Sequence, residues 1–203
     1  MKKVIRNASG DLQKQKEIKE DHRNTVLAYL HDLCYLLAGI LLVFLLLFRV
    51  VVVSGSSMNN TLIHGDYILL LNNVFCGEPE YGDIVVASKK SFENGEPIIK
   101  RVIATEGQTV RIDGTTGQVY VDDVLLDEPY IGTPTPKADF YAKVDEGCVF
   151  VMGDNRQWSK DSRSQDIGQI DCREILGKAL FLFLPGQGKT NSPRQFDRIG
   201  VLS

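Results

Sequence analysis

The sequence predicts a mainly β domain that is preceded by one N-terminal transmembrane helix. A long apolar run extends from about Val26 to Val53, close to the N-terminus. The rest of the chain consists of short apolar runs separated by turns, and its 18 glycines and 7 prolines favour such a pattern. We therefore expect a tail at residues 1–25, a transmembrane helix at 26–53 and one β domain at 54–203.

The apolar run is long enough to cross a bilayer. A helix needs about 20 residues to span a hydrocarbon core of about 30 Å. The segment Leu33–Phe48 carries no charge, and Arg49 can extend its guanidinium to the membrane interface. A cleaved secretory signal is disfavoured because the polar stretch before the run is too long. A buried core helix is disfavoured because the run is apolar on all faces.

The distribution of basic residues predicts how the helix is oriented. The basic residues before the run are Lys2, Lys3, Arg6, Lys14, Lys16, Lys19 and Arg23. After Arg49 the next basic residue is Lys89. The positive-inside rule then predicts a single-pass protein of the cell (plasma) membrane, with a cytoplasmic N-terminus and an extracytoplasmic β domain.

Composition argues against two classes of partner. The net charge of −3 gives no support for nucleic-acid binding. The four cysteines, Cys34, Cys76, Cys148 and Cys172, form no CxxC pair, and the chain has no histidine cluster. We therefore expect no metal and no cofactor. A disulfide among the last three cysteines is left open, because their spacing does not select a pair.

The segment after the apolar run predicts the strands of the β domain. We expect strands in "DYILLLNNV", "GDIVVAS", "EPIIKRVIAT" and "CVFVMGDN". The stretch "TVRIDGTTGQVYVDDVLLDE" alternates apolar and polar residues on both sides of a glycine-containing turn, which predicts a hairpin. The run "ILGKALFLFLP" fits either a strand or a helix. Residues 108–147 are expected to form a peripheral insertion.

A serine and a lysine are the candidates for nucleophilic chemistry. Ser57 lies in "SGSSMNNTL", just before the first expected strand of the domain. A serine hydroxyl is a weak nucleophile and needs a base. His64 lies in a turn too close along the chain to complete a triad easily, so an exposed turn histidine is the simpler interpretation.

Lys100 is the other candidate base. It shares an expected strand face with Ile98 and Val102, while Arg101 points to the opposite face. A free lysine has a pKa of about 10.4, and burial among apolar groups would lower that pKa and yield a general base. The alternative is a lysine at a strand edge that reaches water.

A dense polar stretch, "GDNRQWSKDSR" at residues 153–163, follows an expected buried strand. It fits a surface loop with local ion pairs such as Asp161 with Arg163. It also fits a set of groups that orient a base by hydrogen bonds.

Four segments in this order resemble the conserved boxes of bacterial type I signal peptidases. They are "GSSMNNTL", "GDIVV", "KRVIATEG" and "GDNRQWSKDSR", and the resemblance extends to about Ala179. Such proteins are membrane serine proteases with a Ser-Lys dyad. SOS-type repressors share the dyad and a "GxSM" segment but lack the membrane anchor and the last box. The resemblance implies a signal-peptidase/SOS-repressor-like β catalytic domain.

The resemblance also implies roles for single residues. Ser57 matches the nucleophile and Lys100 the base. The backbone N–H of Ser57 would bind the oxyanion, because Gly55 stands where some members carry a serine that helps. Asn60 stands where the family usually has proline.

The last box supplies the supporting groups. Ser159 matches a serine that hydrogen-bonds the lysine amine. Asp161 and Arg163 match an ion pair that stiffens the site, and Asp154 lies at the start of the box.

The implied partners are the lipid bilayer and the signal peptides of secreted preproteins, cut after small-x-small sites. We expect Met58, Leu62, Ile98 and Ile99 to line shallow pockets for small side chains. One alternative is a non-catalytic, peptidase-like chaperone for surface-fibre (pilus) assembly, which would be expected to lack the serine or the lysine. Others are a sortase-linked or spore-specific peptidase with few clients, or an inactive membrane-anchored β domain.

Overall fold

The computed structural model describes residues 2–89, 95–188 and 193–202. The chain separates into two compact units, Met1–Leu46 and Leu47–Ser203. The first unit is one helix, α1 (Lys2–Leu47). Its part Thr25–Leu47 has 23 residues with a mean hydropathy of 2.3, so its length and composition suffice to cross a membrane. The side chains of the charged N-terminal segment lie outside the described part.

The helix ends at Leu47, earlier than the predicted end at Val53. Residues Phe48–Val52 form strand β1 instead, and β1 pairs antiparallel with the strand Tyr67–Asn72. Apolarity does not distinguish a helix from a buried strand, whereas consecutive valines favour the extended conformation. The sequence pattern had placed Arg49 in the helix, but the structure places it in β1.

The described residues of the second unit form two antiparallel sheets. The larger sheet has eight strands, in the order β1-β2-β11-β3-β4-β9-β10, with β12 paired to β11. After β1 its strands are β2 (Tyr67–Asn72), β3 (Ile84–Ala87), β4 (Ile98–Ala104), β9 (Cys148–Met152), β10 (Ile170–Asp171), β11 (Ile175–Leu184) and β12 (Gly200–Val201). The mainly β fold is therefore confirmed.

The smaller sheet lies within the predicted peripheral segment 108–147. Its four strands follow the order β7-β6-β5-β8. They are β5 (Thr109–Ile112), β6 (Val119–Val121), β7 (Val124–Leu125) and β8 (Phe140–Lys143). The expected hairpin is present, with β5 and β6 paired. The chain leaves the larger sheet after β4 and returns at β9, its neighbour in that sheet.

The pattern of burial identifies which strands carry the core. In β4, the five residues from Lys100 to Ala104 are all buried, and in β3 all four residues are buried. Strands covered on both faces read as continuous apolar runs rather than alternating ones. The ambiguous run near the C-terminus is strand β11, which pairs with both β2 and β3. An interior strand therefore carries Lys100 in a fixed position.

Candidate active site

Ser57 and Lys100 meet between the loop after β1 and the interior strand β4. The Lys100 Nζ donates a hydrogen bond to Ser57 Oγ at 2.9 Å and another to the Ile99 carbonyl oxygen at 2.9 Å. Lys100 is only 5% exposed. The predicted pair is thus within direct proton-transfer distance although the two residues lie far apart in sequence.

The loop that carries Ser57 is anchored on both sides of the serine. Met58 is buried in the core cluster that also holds Val53, and the Leu62 N–H donates to the Met58 carbonyl oxygen at 2.8 Å. Further along, the buried Asp66 accepts from the Ile63 N–H at 2.7 Å. These contacts leave the nucleophile loop little freedom.

Asn155, in the polar box, also holds the nucleophile loop in place. Its backbone N–H donates to the Ser57 carbonyl oxygen at 2.9 Å, and its side-chain Nδ2 donates to the Ser56 carbonyl oxygen at 2.9 Å. Thr133 Oγ1 donates to Asn155 Oδ1 at 3.0 Å and so orients the amide. The sequence placed Asn155 in the polar box but did not predict this role, and Thr133 carried no local signal.

Asp154 forms a buried ion pair beneath the site. Its carboxylate accepts from Arg101 Nε at 3.0 Å and from the Arg101 terminal nitrogen at 2.9 Å. Both side chains are at most 1% exposed. Thr61 Oγ1 also donates to Asp154, so the pair joins β4, the nucleophile loop and the polar box. The hydrogen bonds of the Asp154 carboxylate therefore go to Arg101 and Thr61, and Asp154 supports the site through these two residues.

The predicted pair of Asp161 and Arg163 is formed. Arg163 Nε donates to Asp161 Oδ1 at 2.8 Å, and Asp161 Oδ2 also accepts from the Gly153 N–H at 3.0 Å. A side chain at Gly153 would clash with the Ser57 carbonyl oxygen and with Ser159 Oγ. Asp161 thus holds the backbone of Gly153 close to the backbone of Ser57, and this close approach requires glycine at position 153.

Ser159 does not make the hydrogen bond that the resemblance implied. Its Oγ is buried and makes no hydrogen bond with any of the described residues. It lies near Gly153, next to the Ser57 backbone. In this structure the Lys100 amine instead donates hydrogen bonds to Ser57 Oγ and to the Ile99 carbonyl oxygen.

Comparison with known proteins identifies the family. The model of "Signal peptidase, peptidase S26" matches residues 26–184. The chain belongs to the signal peptidase family. It is 31% identical to signal peptidase I of Bacillus licheniformis over 180 residues, which cover 83% of this chain and 94% of that protein.

Two other signal peptidases give the same result. The chain is 38% identical over 141 residues to a probable signal peptidase I-1 of Synechocystis sp., covering 66% of this chain and 69% of that protein. It is 34% identical over 153 residues to signal peptidase I S of Bacillus subtilis, covering 68% and 78%. A crystal structure of signal peptidase I from Enterococcus faecalis aligns at 29% identity with a TM-score of 0.43, covering 50% of this chain and 96% of that one.

Membership in the signal peptidase family supports one activity, that of signal peptidase I, a serine endopeptidase. Signal peptidases are membrane-associated, and the apolar segment Thr25–Leu47 fits an anchor. The alternative of a non-catalytic chaperone is not favoured by these relatives.

A second buried ion pair joins the polar box to the peripheral segment 108–147. Arg156 donates to Glu128 Oε2 at 2.9 Å and to Thr135 Oγ1 at 2.9 Å. Burial acts to lower the pKa of Arg156, but the hydrogen bond and charge of Glu128 outweigh it and raise that pKa. Tyr130 stacks its ring on Arg101 at 4.0 Å; burial, followed by the charge of Glu128, raises the pKa of Tyr130. Arg156 thus stays charged and Tyr130 neutral.

An open groove of about 510 Å³ exposes the Ser57–Lys100 pair to a ligand. Three of the four residues predicted to line pockets, Met58, Ile98 and Ile99, border this groove. Leu62 does not border the groove, and its side chain is completely buried in the core. Its apolar character reflects packing rather than contact with a substrate.

The remaining candidates lie apart from the pair. His64 borders a different depression, and its Nδ1 is 3.4 Å from the Gly55 N–H. All four cysteines are free thiols. The disulfide that the sequence left open is therefore not formed in this structure. Among the described residues no group of three or more His, Cys, Asp or Glu side chains is arranged to hold a metal ion.

Proposed function

We propose that this signal peptidase cleaves the signal peptides of secreted preproteins with a catalytic dyad of Ser57 and Lys100. The observation that carries the proposal is the 2.9 Å hydrogen bond from the Lys100 amine to the Ser57 hydroxyl. A buried lysine beside a serine is the arrangement that a Ser-Lys protease needs, because a neutral amine can act as the base for the hydroxyl.

In the proposed reaction the neutral Lys100 amine takes the Ser57 proton as Oγ attacks the scissile carbonyl carbon. The resulting ammonium then gives this proton to the leaving amine as the peptide bond breaks. The same amine then takes a proton from a water molecule as the water adds to the acyl-enzyme ester. The ammonium returns this proton to Ser57 Oγ as the acyl C–Oγ bond breaks and the carboxyl product leaves. The hydrogen bond between Lys100 and Ile99 O holds the amine at the nucleophile.

The developing negative charge on the tetrahedral intermediate requires hydrogen-bond donors. The backbone N–H of Ser57 is the proposed main donor. Gly55, which has a φ of 99°, brings no side chain to the groove. The hydrogen bonds from Asn155 to the carbonyl oxygens of Ser56 and Ser57 hold the backbone on both sides of the Ser57 N–H, which supports this N–H as the donor.

The substrate is proposed to be an extended peptide with a small-x-small cleavage site. The groove is bordered by the chain from Val51 to Met58 and by the segment Glu96–Lys100. An extended peptide can lie between such segments by β-augmentation. Met58, Ile98 and Ile99 limit the depth of the pockets, so that small side chains fit best.

The proposed location is the cell (plasma) membrane, with α1 crossing once and the β unit outside. The excess of basic residues in the first 24 positions supports a cytoplasmic N-terminus. An anchor that holds enzyme and substrate in the same bilayer raises their effective concentration. This explains why the nucleophile follows the apolar segment after a single strand.

Cleavage of a preprotein by the detergent-solubilised full chain tests the proposal. The wild type is expected to release a product whose N-terminus follows a small-x-small site, as read by N-terminal sequencing. Ser57→Ala and Lys100→Ala are expected to lose at least a thousandfold in kcat/KM with unchanged circular dichroism. The exposed Lys143→Ala, on β8, serves as control. Retained activity in either dyad variant would remove that residue from the mechanism.

A further inference from the structure

The groove carries one large side chain that the dyad does not use. Trp158 is the single tryptophan of the chain. It borders the groove that contains Ser57 and Lys100, and 73% of its surface is exposed. Its position in the polar box is not one for which the resemblance implied a role.

The backbone at Trp158 is tied to the nucleophile loop. The Trp158 N–H donates to the Asn155 carbonyl oxygen at 3.0 Å. Asn155 in turn donates to the carbonyl oxygens of Ser56 and Ser57, each at 2.9 Å. Two hydrogen-bonded steps therefore separate the Trp158 backbone from the nucleophile. Hydrogen bonds therefore fix the backbone that carries the indole at the groove.

An exposed indole in such a place favours an apolar ligand. Tryptophan has one of the largest apolar surfaces of any side chain, and covering that surface is favourable. The same groove is bordered by Ile98 and Ile99, which are only half-buried. The groove thus combines apolar surface from two segments of the chain with a polar reaction centre. An extended peptide with apolar side chains fits this combination.

We propose that Trp158 contacts the substrate peptide and packs against one of its apolar side chains. This inference rests on the proposed function, since it assigns the ligand to the same groove. Trp158 would then be a specificity-determining residue that contributes to peptide binding equally before and during the chemical step. Contacts of that kind change KM and leave kcat unaltered.

Steady-state kinetics of the full chain give the first test. Trp158→Ala is expected to raise KM for a peptide with an apolar stretch before an Ala-x-Ala site about tenfold, with kcat within twofold of wild type. Trp158→Phe is expected to restore most of the affinity, because it keeps an apolar ring. The matched control is Tyr141→Ala, an equally exposed aromatic residue (69%) on β8. An unchanged KM in Trp158→Ala would overturn the proposal, as would a loss confined to kcat.

Because the chain has one tryptophan, intrinsic fluorescence reports on Trp158 alone. In the full-length Ser57→Ala variant, which cannot turn over, the same peptide is expected to shift the Trp158 emission to shorter wavelength with saturation near the wild-type KM. Emission that stays constant far above that KM would overturn the proposal.

The two tests separate this inference from the proposed function. Cleavage with no emission change and no KM effect would contradict the role of Trp158 and leave the dyad intact. Absence of any cleavage by the wild-type chain would contradict the dyad, whereas a saturable emission shift in that case would still support a peptide contact at Trp158.

Discussion

At the scale of single residues, the decisive feature is the contact between a buried amine and a hydroxyl. Lys100 is 5% exposed, and its Nζ lies 2.9 Å from Ser57 Oγ. The sequence predicted both residues and their pairing. It did not predict that the Ile99 carbonyl oxygen would hold the amine, because that contact depends on the rotamer of Lys100.

The role of Lys100 as base predicts how activity changes with pH. Only the neutral amine accepts a proton, so kcat/KM is expected to rise tenfold per pH unit on the acidic side and then level off. Lys100→Arg is expected to be inactive across the whole range, because a guanidinium with a pKa above about 12 does not deprotonate. A profile that is flat from pH 5 to pH 10 would exclude lysine as the base.

Asn155 is predicted to position the nucleophile. Asn155→Ala removes the hydrogen bond to the Ser56 carbonyl oxygen and is expected to lower kcat about 10- to 100-fold, since misplacement by about 1 Å can cost that much. Thr133→Val, which no longer orients the Asn155 amide, is expected to show a smaller loss of about tenfold.

Thr133→Ser keeps the hydroxyl and is the matched control for Thr133→Val. It is expected to restore kcat with KM unchanged, as measured in the cleavage assay. Equal activity in Thr133→Val and wild type would show that the Asn155 amide needs no orientation by Thr133.

At the scale of secondary-structure elements, buried ion pairs join the strands to the site. Arg101 on β4 pairs with Asp154, which follows β9 after Gly153, and neither is more than 1% exposed. The ring of Tyr130 covers the Arg101 guanidinium at 4.0 Å. The sequence had placed Arg101 on the face opposite Lys100 but did not predict its partner, because Asp154 and Tyr130 approach from distant parts of the chain.

Breaking this pair is predicted to destabilise the β unit. Asp154→Ala leaves the Arg101 charge buried and is expected to lower the free energy of unfolding by about 3–5 kcal/mol, measured by urea denaturation. The control is Asp166→Ala, which breaks the exposed pair with Lys160 and is expected to cost about 0–1 kcal/mol. Similar losses in both variants would mean that burial does not distinguish the two pairs.

The thiols near the paired strands β9 and β10 are predicted to react slowly. Burial raises the pKa of Cys148 and of Cys172, and a raised pKa leaves less thiolate, the reactive form, at neutral pH. Iodoacetamide at pH 7.5 is expected to alkylate both more slowly than it alkylates glutathione, as measured by mass spectrometry of peptides. Alkylation at the glutathione rate would contradict the predicted effect of burial.

At the scale of the whole molecule, the strand after the helix belongs to the β unit. β1 pairs along its full length with β2, from Phe48 with Leu71 to Val52 with Tyr67. The sequence extended the helix through these residues because hydropathy alone does not separate the two structures. Because β1 pairs with β2, the residues directly after the helix form an edge strand of the larger sheet.

Two truncations test this boundary. A chain that starts at Phe48 is expected to fold and to cleave a soluble peptide, but to cleave a preprotein in lipid vesicles more slowly than the full chain, because the shared bilayer no longer raises the effective concentration. A chain that starts at Ser54 lacks β1 and is expected to unfold at a lower temperature. Equal melting temperatures for the two truncations would contradict a structural role for β1.

The sequence by itself determined the apolar anchor segment, the mainly β fold, the serine and the lysine. Periodicity, hydropathy and motif spacing are local properties that the residues carry along the chain. The tertiary structure alone decided the end of the helix, the burial of Leu62, the partners of Asp154 and Asn155, and the place of Trp158 at the groove. These depend on which distant segments pack together, and packing selects among local patterns that are equally acceptable when each is considered alone.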